Sequence, residues 1–424
     1  MGVCNVPVVM GGAGLECAYA GSRDELVRRL AARESVAEYP WFSSDREAAD
    51  LRLPGNPHHA RFFVGDAARM PIIARVQQVL ERVIAQALQG SNLDEASLCG
   101  PDVRVYLAGH GMRPDVADFA GYENRNDDED LLYFPKLKQL SIANYAQDEL
   151  AHRLAVRYRL AAPPVPIYTA SCSAMSSLYL AWHAIRAGFA RRALVVGWMQ
   201  YTLQDIVFLG AQGVMSVGNS QPFSAQSGGM LPADGACALL LHAADDGPAS
   251  AAPSKVRLAS CVAYQSSGEA SGPMSADFRA IASTMERAIE AASLEPSDIA
   301  CVVPHANGAP TSDKSEAMAI LKVWGKKGVP VVTYKGQTGY MSVCSGLVDL
   351  FAIADAIVKQ EVLPAKTRLP LDDALQIDVH ANREALPLAG GAILKTTLGL
   401  DGSIVACVVT QEPLSGGSHE VRGS

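Results

Sequence analysis

Runs of continuous apolar residues alternate with amphipathic stretches along most of this 424-residue chain. The apolar, β-branched runs at 193–198, 237–242, 299–304, 329–334 and 404–410 predict strands buried on both faces, since a half-exposed strand alternates apolar with polar. Apolar residues spaced i, i+3, i+4 over 71–88, 145–158, 174–187, 278–292, 314–324 and 346–362 predict helices with one packed side. A shorter run at 165–168 predicts a strand that hands over directly to the helix at 174–187. Strands separated by helix-length segments define an α/β architecture with helix-covered sheets. The polar, Pro- and Ser-containing stretch 244–253 interrupts the pattern and is read as the junction between two halves, 1–250 and 251–413. Residues 118–130 are acidic and turn-rich, and are read as an exposed insertion. Residues 414–424 are Gly/Ser-rich and are read as a flexible tail.

Composition narrows this picture. Hydrophobic residues make up 49% and charged residues 19%, enough apolar surface for a large core. A net charge of −8 argues against a nucleic-acid partner. No apolar run reaches the ~18 residues of a membrane span, and the N-terminus lacks a basic segment followed by an apolar one. The nine cysteines are scattered without any Cys-x-x-Cys pair. Neither a zinc site nor a disulfide framework is expected, and a reducing cytoplasmic setting is. Cys407 sits in an apolar run and reads as core.

Four stretches hold candidate chemistry. In Thr169-Ala170-Ser171-Cys172-Ser173, a strand passes into a helix, and the helix N-terminus favours an anionic or polarised side chain there. Either Ser171 or Cys172 faces the pocket; a small-residue packing turn is the competing reading. The second stretch, Pro304-His305-Ala306-Asn307-Gly308, ends a strand. His305 is suited to donate to an oxyanion or to act as a base, with a satisfied structural histidine as the alternative. Asp313 and Glu316 follow, and are read as capping the next helix and fixing the loop. The third, Tyr334-Lys335-Gly336-Gln337-Thr338-Gly339-Tyr340, offers Lys335 as a buried cation and Tyr340 as a single donor. In the fourth, Pro222-Phe223-Ser224 leads to Ala233-Asp234-Gly235-Ala236, where Asp234 is placed to hold a neighbour by a charge-assisted hydrogen bond.

In this order the four stretches resemble the β-ketoacyl synthase family, the decarboxylating condensing enzymes of fatty-acid and polyketide assembly. Thr169-Ala170-Ser171 with Arg186-Ala187-Gly188 is similar to the family's T-A-C-S-S helix ending in R-A-G. His305 through Asp313 and Glu316 is similar to H-G-T…G-D-x-x-E, and Lys335 through Tyr340 to K-x-x-x-G-H. Gly399-Leu400-Asp401-Gly402 is similar to G-F-G-G. Residues 8–15 look like the family's first strand and glycine turn.

The resemblance implies a thiolase-like α/β fold: a five-layered α-β-α-β-α core of two similar halves. It implies acyl chains carried as phosphopantetheine thioesters on an acyl carrier protein or CoA, with no bound cofactor. It implies a homodimer, or a heterodimer with a related ketosynthase. It places Ser171 at the position of the nucleophilic Cys, His305 at the first catalytic His and Tyr340 at the second. Lys335 completes the site; Cys172, Asp234, Asp313 and Glu316 support it; Phe223, Leu398 and Leu400 line the pocket. Arg191, Arg192, Lys326 and Lys327 offer charge to an acidic carrier protein, with ordinary solvated charge as the alternative. Two functions follow from the departures. One is a chain-length-factor-like partner of an active ketosynthase. The other is an acyltransferase or condensing enzyme that acylates Ser171 with His305 as base.

Overall fold

The computed structural model describes residues 6–63, 72–109, 147–246, 256–265 and 277–411. The acidic stretch 118–130, the tail 414–424 and most of the 244–253 junction lie outside the described residues.

Among the described residues, five strands of the first half lie in the main sheet: β1 (Val8–Cys17), β2 (Val103–Ala108), β3 (Val165–Ile167), β4 (Arg192–Met199) and β5 (Gly235–Ala243). They stand in the order β1-β5-β4-β2-β3, antiparallel at β1-β5-β4 and parallel at β4-β2-β3. The second half holds β6 (Val256–Gln265), β7 (Ile299–Val303), β8 (Pro330–Val331), β9 (Asp378–Val379), β10 (Ala392–Leu398) and β11 (Ser403–Gln411). Their order is β6-β11-β10-β7-β8-β9, antiparallel at β6-β11-β10 and parallel beyond. With the two-residue β9 set aside, both halves read first-fifth-fourth-second-third, with the same strand directions. Val9 opposite Arg257 joins the two edges.

The helices form the other layers. Among them are α1 (Ile72–Gly90), α2 (Gln147–Tyr158), α3 (Ser173–Arg186), α4 (Phe278–Ala291), α5 (Pro310–Trp324), α6 (Lys335–Thr338) and α7 (Ser345–Lys359). α1 covers the outer face of β1, β5 and β4, and α4 covers β6, β11 and β10 with α5 against it. α3 and α7 each touch strands of both sheets and lie between them. The result is helix, sheet, helix, sheet, helix. Gly12 and Gly14 let α1 press onto β1: a Cβ there would meet Ala87 O at 2.0 Å and Val83 O at 1.9 Å.

The periodicity of the chain finds these elements with informative exceptions. The strand expected over 329–334 shortens to Pro330–Val331, because α6 begins at Lys335. α5 starts at Pro310, four residues before the expected helix, with proline in the first turn where its missing N–H has no helical partner to lose. β2, β6 and β10 escaped the reading because Arg, Ser, Lys and Thr interrupt their apolar runs.

Candidate functional site

The site is assembled from loop ends of both halves. Between β3 and α3 the chain turns sharply at Ala170, whose φ of +45° is strained for a residue with a Cβ. The Ser173 hydroxyl donates to Ala170 O at 2.7 Å and accepts from Thr169 N–H at 3.0 Å, tightening the turn. Ser171 is buried, with its Oγ 3.1 Å from Ser342 Oγ. Cys172 is the N-cap residue of α3, and its thiol turns the other way: it donates to Thr397 O at 3.1 Å and lies 3.4 Å from Ser403 O. Burial pushes that thiol up to about 12. Of the two candidates in this turn, the structure thus puts Ser171 beside the second half's loops and Cys172 in the packing beneath.

His305 leaves the end of β7 into a loop held by two carboxylates of α5. Glu316 accepts from His305 N–H at 2.8 Å, from Ala306 N–H at 2.5 Å and from the Thr396 hydroxyl at 3.0 Å. Asp313 accepts from Phe223 N–H at 2.9 Å and Gly308 N–H at 3.3 Å. Neither carboxylate caps its own helix, because the helix begins upstream of both; each reaches back to fix the loop. Burial raises both above the usual carboxylate range, Asp313 to about 7.

The His305 ring is buried and meets Tyr340 edge-on, with ring centres 5.3 Å apart. Its Nε2 lies 3.2 Å from Tyr340 Oη and 3.4 Å from Asn307 Nδ2. Burial first, then the charges of Lys335 and Lys395, hold this imidazole well below its usual range, so it is neutral near pH 7. Burial raises the Tyr340 phenol, while the Ser171 and Asn307 side chains beside it act in the opposite direction.

Lys335 is paired with a carboxylate of α7. Its Nζ meets Asp349 Oδ2 at 2.5 Å, and Lys395 Nζ meets the same oxygen at 2.8 Å. Lys395 also donates to Thr396 O at 2.6 Å and Pro304 O at 3.2 Å, so it grips the strand end that carries His305. Burial lowers Lys335 to about 8, against the pull of Asp349.

Behind Tyr340 stands a third group. Asp234 accepts from Tyr201 N–H at 2.9 Å and faces His59 Nε2 at 3.1 Å, and the Tyr201 hydroxyl donates to Tyr340 O at 3.2 Å. Phe223 is buried at φ +59° and Leu398 is buried at the end of β10, while Leu400, 41% exposed, sits in the turn beyond. Asp401 holds that turn by accepting from the Ser403 hydroxyl at 2.6 Å.

The surface arginines of the sequence reading are already paired. Arg191 meets Asp245 at 3.0 Å and Asp246 at 3.1 Å, and Arg192 meets Asp246 at 2.7 Å. Lys326 and Lys327 are exposed.

Sequence reasoning passed over Ser342, Asn307, Asp349 and Lys395. A signal existed for two of them: Asp349 is a lone carboxylate in an otherwise apolar turn of α7, and Lys395 a lone cation in a β-branched run. Buried charges of this kind need partners. Among the described residues no group of three His, Cys, Asp or Glu side chains is arranged to hold a metal, and no helix is long and apolar enough to cross a membrane.

Two like-ordered sheets around shared helices, with a helix-N-terminal residue of one half facing His and Tyr loops of the other, define a thiolase-like protein. The chain belongs to the β-ketoacyl synthase family: residues 6–247 match its N-terminal domain and residues 258–368 its C-terminal domain. The granaticin polyketide putative β-ketoacyl synthase 2 of Streptomyces violaceoruber is 30% identical over 199 residues, 47% of this chain and 45% of that one. The lovastatin diketide synthase mokB of Monascus pilosus is 24% identical over 296 residues, 68% of this chain but 11% of that one. The chain likewise spans 16% and 9% of two other large synthases that it matches. Among solved structures, the ishigamide ketosynthase/chain length factor superposes with a TM-score of 0.79 at 18% identity, covering 96% of this chain and 100% of that one. A type II polyketide synthase acyl-carrier protein in complex with its ketosynthase gives 0.78 at 20% identity, over 96% and 99%.

Proposed function

We propose that this chain is a ketosynthase-like partner subunit of polyketide or fatty-acid assembly, of the chain-length-factor kind. It pairs with an active ketosynthase and helps to shape the acyl tunnel. The observation that carries this reading is the company of Ser171. Its hydroxyl faces the Ser342 hydroxyl at 3.1 Å, and the one imidazole of the site is engaged by Tyr340 and Asn307 instead. A serine hydroxyl is far less ionised than a thiol near pH 7 and needs a base within hydrogen-bond reach. With Tyr340 in place of a second imidazole, one oxyanion donor changes character, and loss of such a donor costs ~10²–10³ in rate. The fold match to a ketosynthase/chain length factor supports a subunit of this type. An acyl carrier protein is then the second partner, bringing the chain on phosphopantetheine, and the cytoplasm is the expected setting.

A second reading has one observation in its favour. The Tyr340 phenol lies 3.2 Å from His305 Nε2 on the Ser171 side of the ring, and it is a route by which His305 acts on Ser171 as base. Incubation with acyl-carrier protein and acyl-CoA, followed by peptide mass mapping, separates the two. The partner reading predicts no adduct on Ser171 and a stable thioester on the S171C variant. An acyl-Ser171 ester on the wild-type chain would overturn it.

A further inference from the structure

Two residues beyond His305, Asn307 has its side-chain amide oriented by the backbone. Its Oδ1 accepts from Ala309 N–H at 3.0 Å. That bond leaves Nδ2 as the atom facing His305 Nε2 at 3.4 Å, with Met230 Sδ at 3.9 Å on its other side. An amide nitrogen only donates, so a neutral imidazole meets it best with a lone pair at Nε2 and its proton at Nδ1. The Tyr340 hydroxyl, 3.2 Å from the same Nε2, can act either way and then donates too. On the far side of the ring Nδ1 is buried without a hydrogen-bond partner, so no acceptor there selects the tautomer, and the cost of the unmet Nδ1 proton is offset by the donors at Nε2. The doubly protonated ring is opposed by burial and by the ammonium groups of Lys335 and Lys395.

We infer that Asn307 is a positioning residue that holds His305 as the Nδ1-protonated tautomer, so that the imidazole presents a hydrogen-bond acceptor to the Ser171 side of the site. An oxyanion needs a donor at that atom. The retained histidine is therefore not the oxyanion donor that its sequence position suggests. It is an acceptor whose hydrogen bond from Tyr340 is fixed by a neighbour on its own loop. The inference concerns the ring alone and stands apart from whether the chain serves as a partner subunit.

Nitrogen NMR of the full-length protein with 15N-labelled histidine reads the tautomer directly, the His305 signals being assigned by their loss in the H305Q variant. At pH 7 the wild-type chain should show a protonated Nδ1 and an unprotonated Nε2. Asn307→Asp replaces the donor by an acceptor of the same shape and should protonate Nε2. Asn307→Leu removes the donor and should raise the share of the Nε2-protonated form about tenfold, the equivalent of one hydrogen bond. A wild-type ring protonated at Nε2 would overturn the inference whether or not either variant folds. An unprotonated Nε2 that persists in both folded variants would remove the role of Asn307.

Discussion

Helices α3 and α7 hold equivalent places in the two halves, each following its sheet's third strand and each lying in the middle layer. Both are N-capped by a buried cysteine without a side-chain cap bond, Cys172 and Cys344. Both thiols cross to the opposite half and reach the first residue of its last strand: Cys172 lies 3.4 Å from Ser403 O, and Cys344 lies 4.0 Å from Gly235 O. The packing of the two halves is thus matched at these two cysteines. Their chemistry is not. The first half contributes a short hydroxyl at Ser171 beside the strained Ala170. The second contributes Ser342 at φ +38°, His305, Tyr340 and the Lys335–Asp349–Lys395 cluster. The comparison teaches that the duplicated frame is kept by core contacts, while function diverges in the loops that meet above the helix ends.

The largest expected effect lies in the half that carries the charges. Asp349→Asn leaves two buried ammonium groups without their shared carboxylate and should cost ~3–5 kcal/mol in urea unfolding. A loss under ~1 kcal/mol would mean that the cluster is no more than a packing feature, and the contrast with the first half would shrink.

The same cluster and its neighbouring loop set the pH profile. Asp313 is held protonated to about 7 against an ordinary 3.8, so the native state binds the extra proton between these values and stability falls as pH rises through that window. The limb is on the order of 4 kcal/mol at most, and Asp313→Asn should flatten it. Lys335 runs the other way: about 8 in the fold against 10.5 ordinarily, so the unfolded state binds more protons and stability rises from about 8 upward. Unfolding midpoints measured across pH should therefore pass through a minimum between about 7 and 8. A difference between the wild-type and Asp313→Asn profiles that does not change from pH 4 to 7 would contradict the assignment to Asp313.

The smallest effects test the symmetry itself. Cys172→Ala and Cys344→Ala each remove a buried sulfur and a weak donor, and each should cost ~1–2 kcal/mol, the two agreeing closely. In the folded protein the exposed Cys99 should alkylate long before either. Fast labelling of Cys172 would show that its thiol reaches the pocket after all.

Much of this was legible in the chain. The fold class followed from apolar runs alternating with helical spacing, and the order of four short stretches pointed to the family. Ser171 and His305 each lie a few residues past a strand end, and Tyr340 is delivered to them by the loop that follows α6. What stayed hidden depends on contacts between the halves. No spacing rule predicts that Ser342 meets Ser171 across 171 residues, or that Lys395 and Lys335 share one carboxylate. The ion pairs of Arg191 and Arg192 were hidden for a similar reason. Their acidic partners, Asp245 and Asp246, lie more than fifty residues away and reach them only through the turn after β5.

The central claim is that this chain needs an active sister subunit. Its most direct test is a condensation assay with acyl- and malonyl-carrier protein, run on the purified chain alone and on the chain co-expressed with an intact ketosynthase from the same genome. The account predicts a mixed complex that turns over and an isolated chain at background. A homodimer of this chain that condenses at the rate of an ordinary ketosynthase would contradict it.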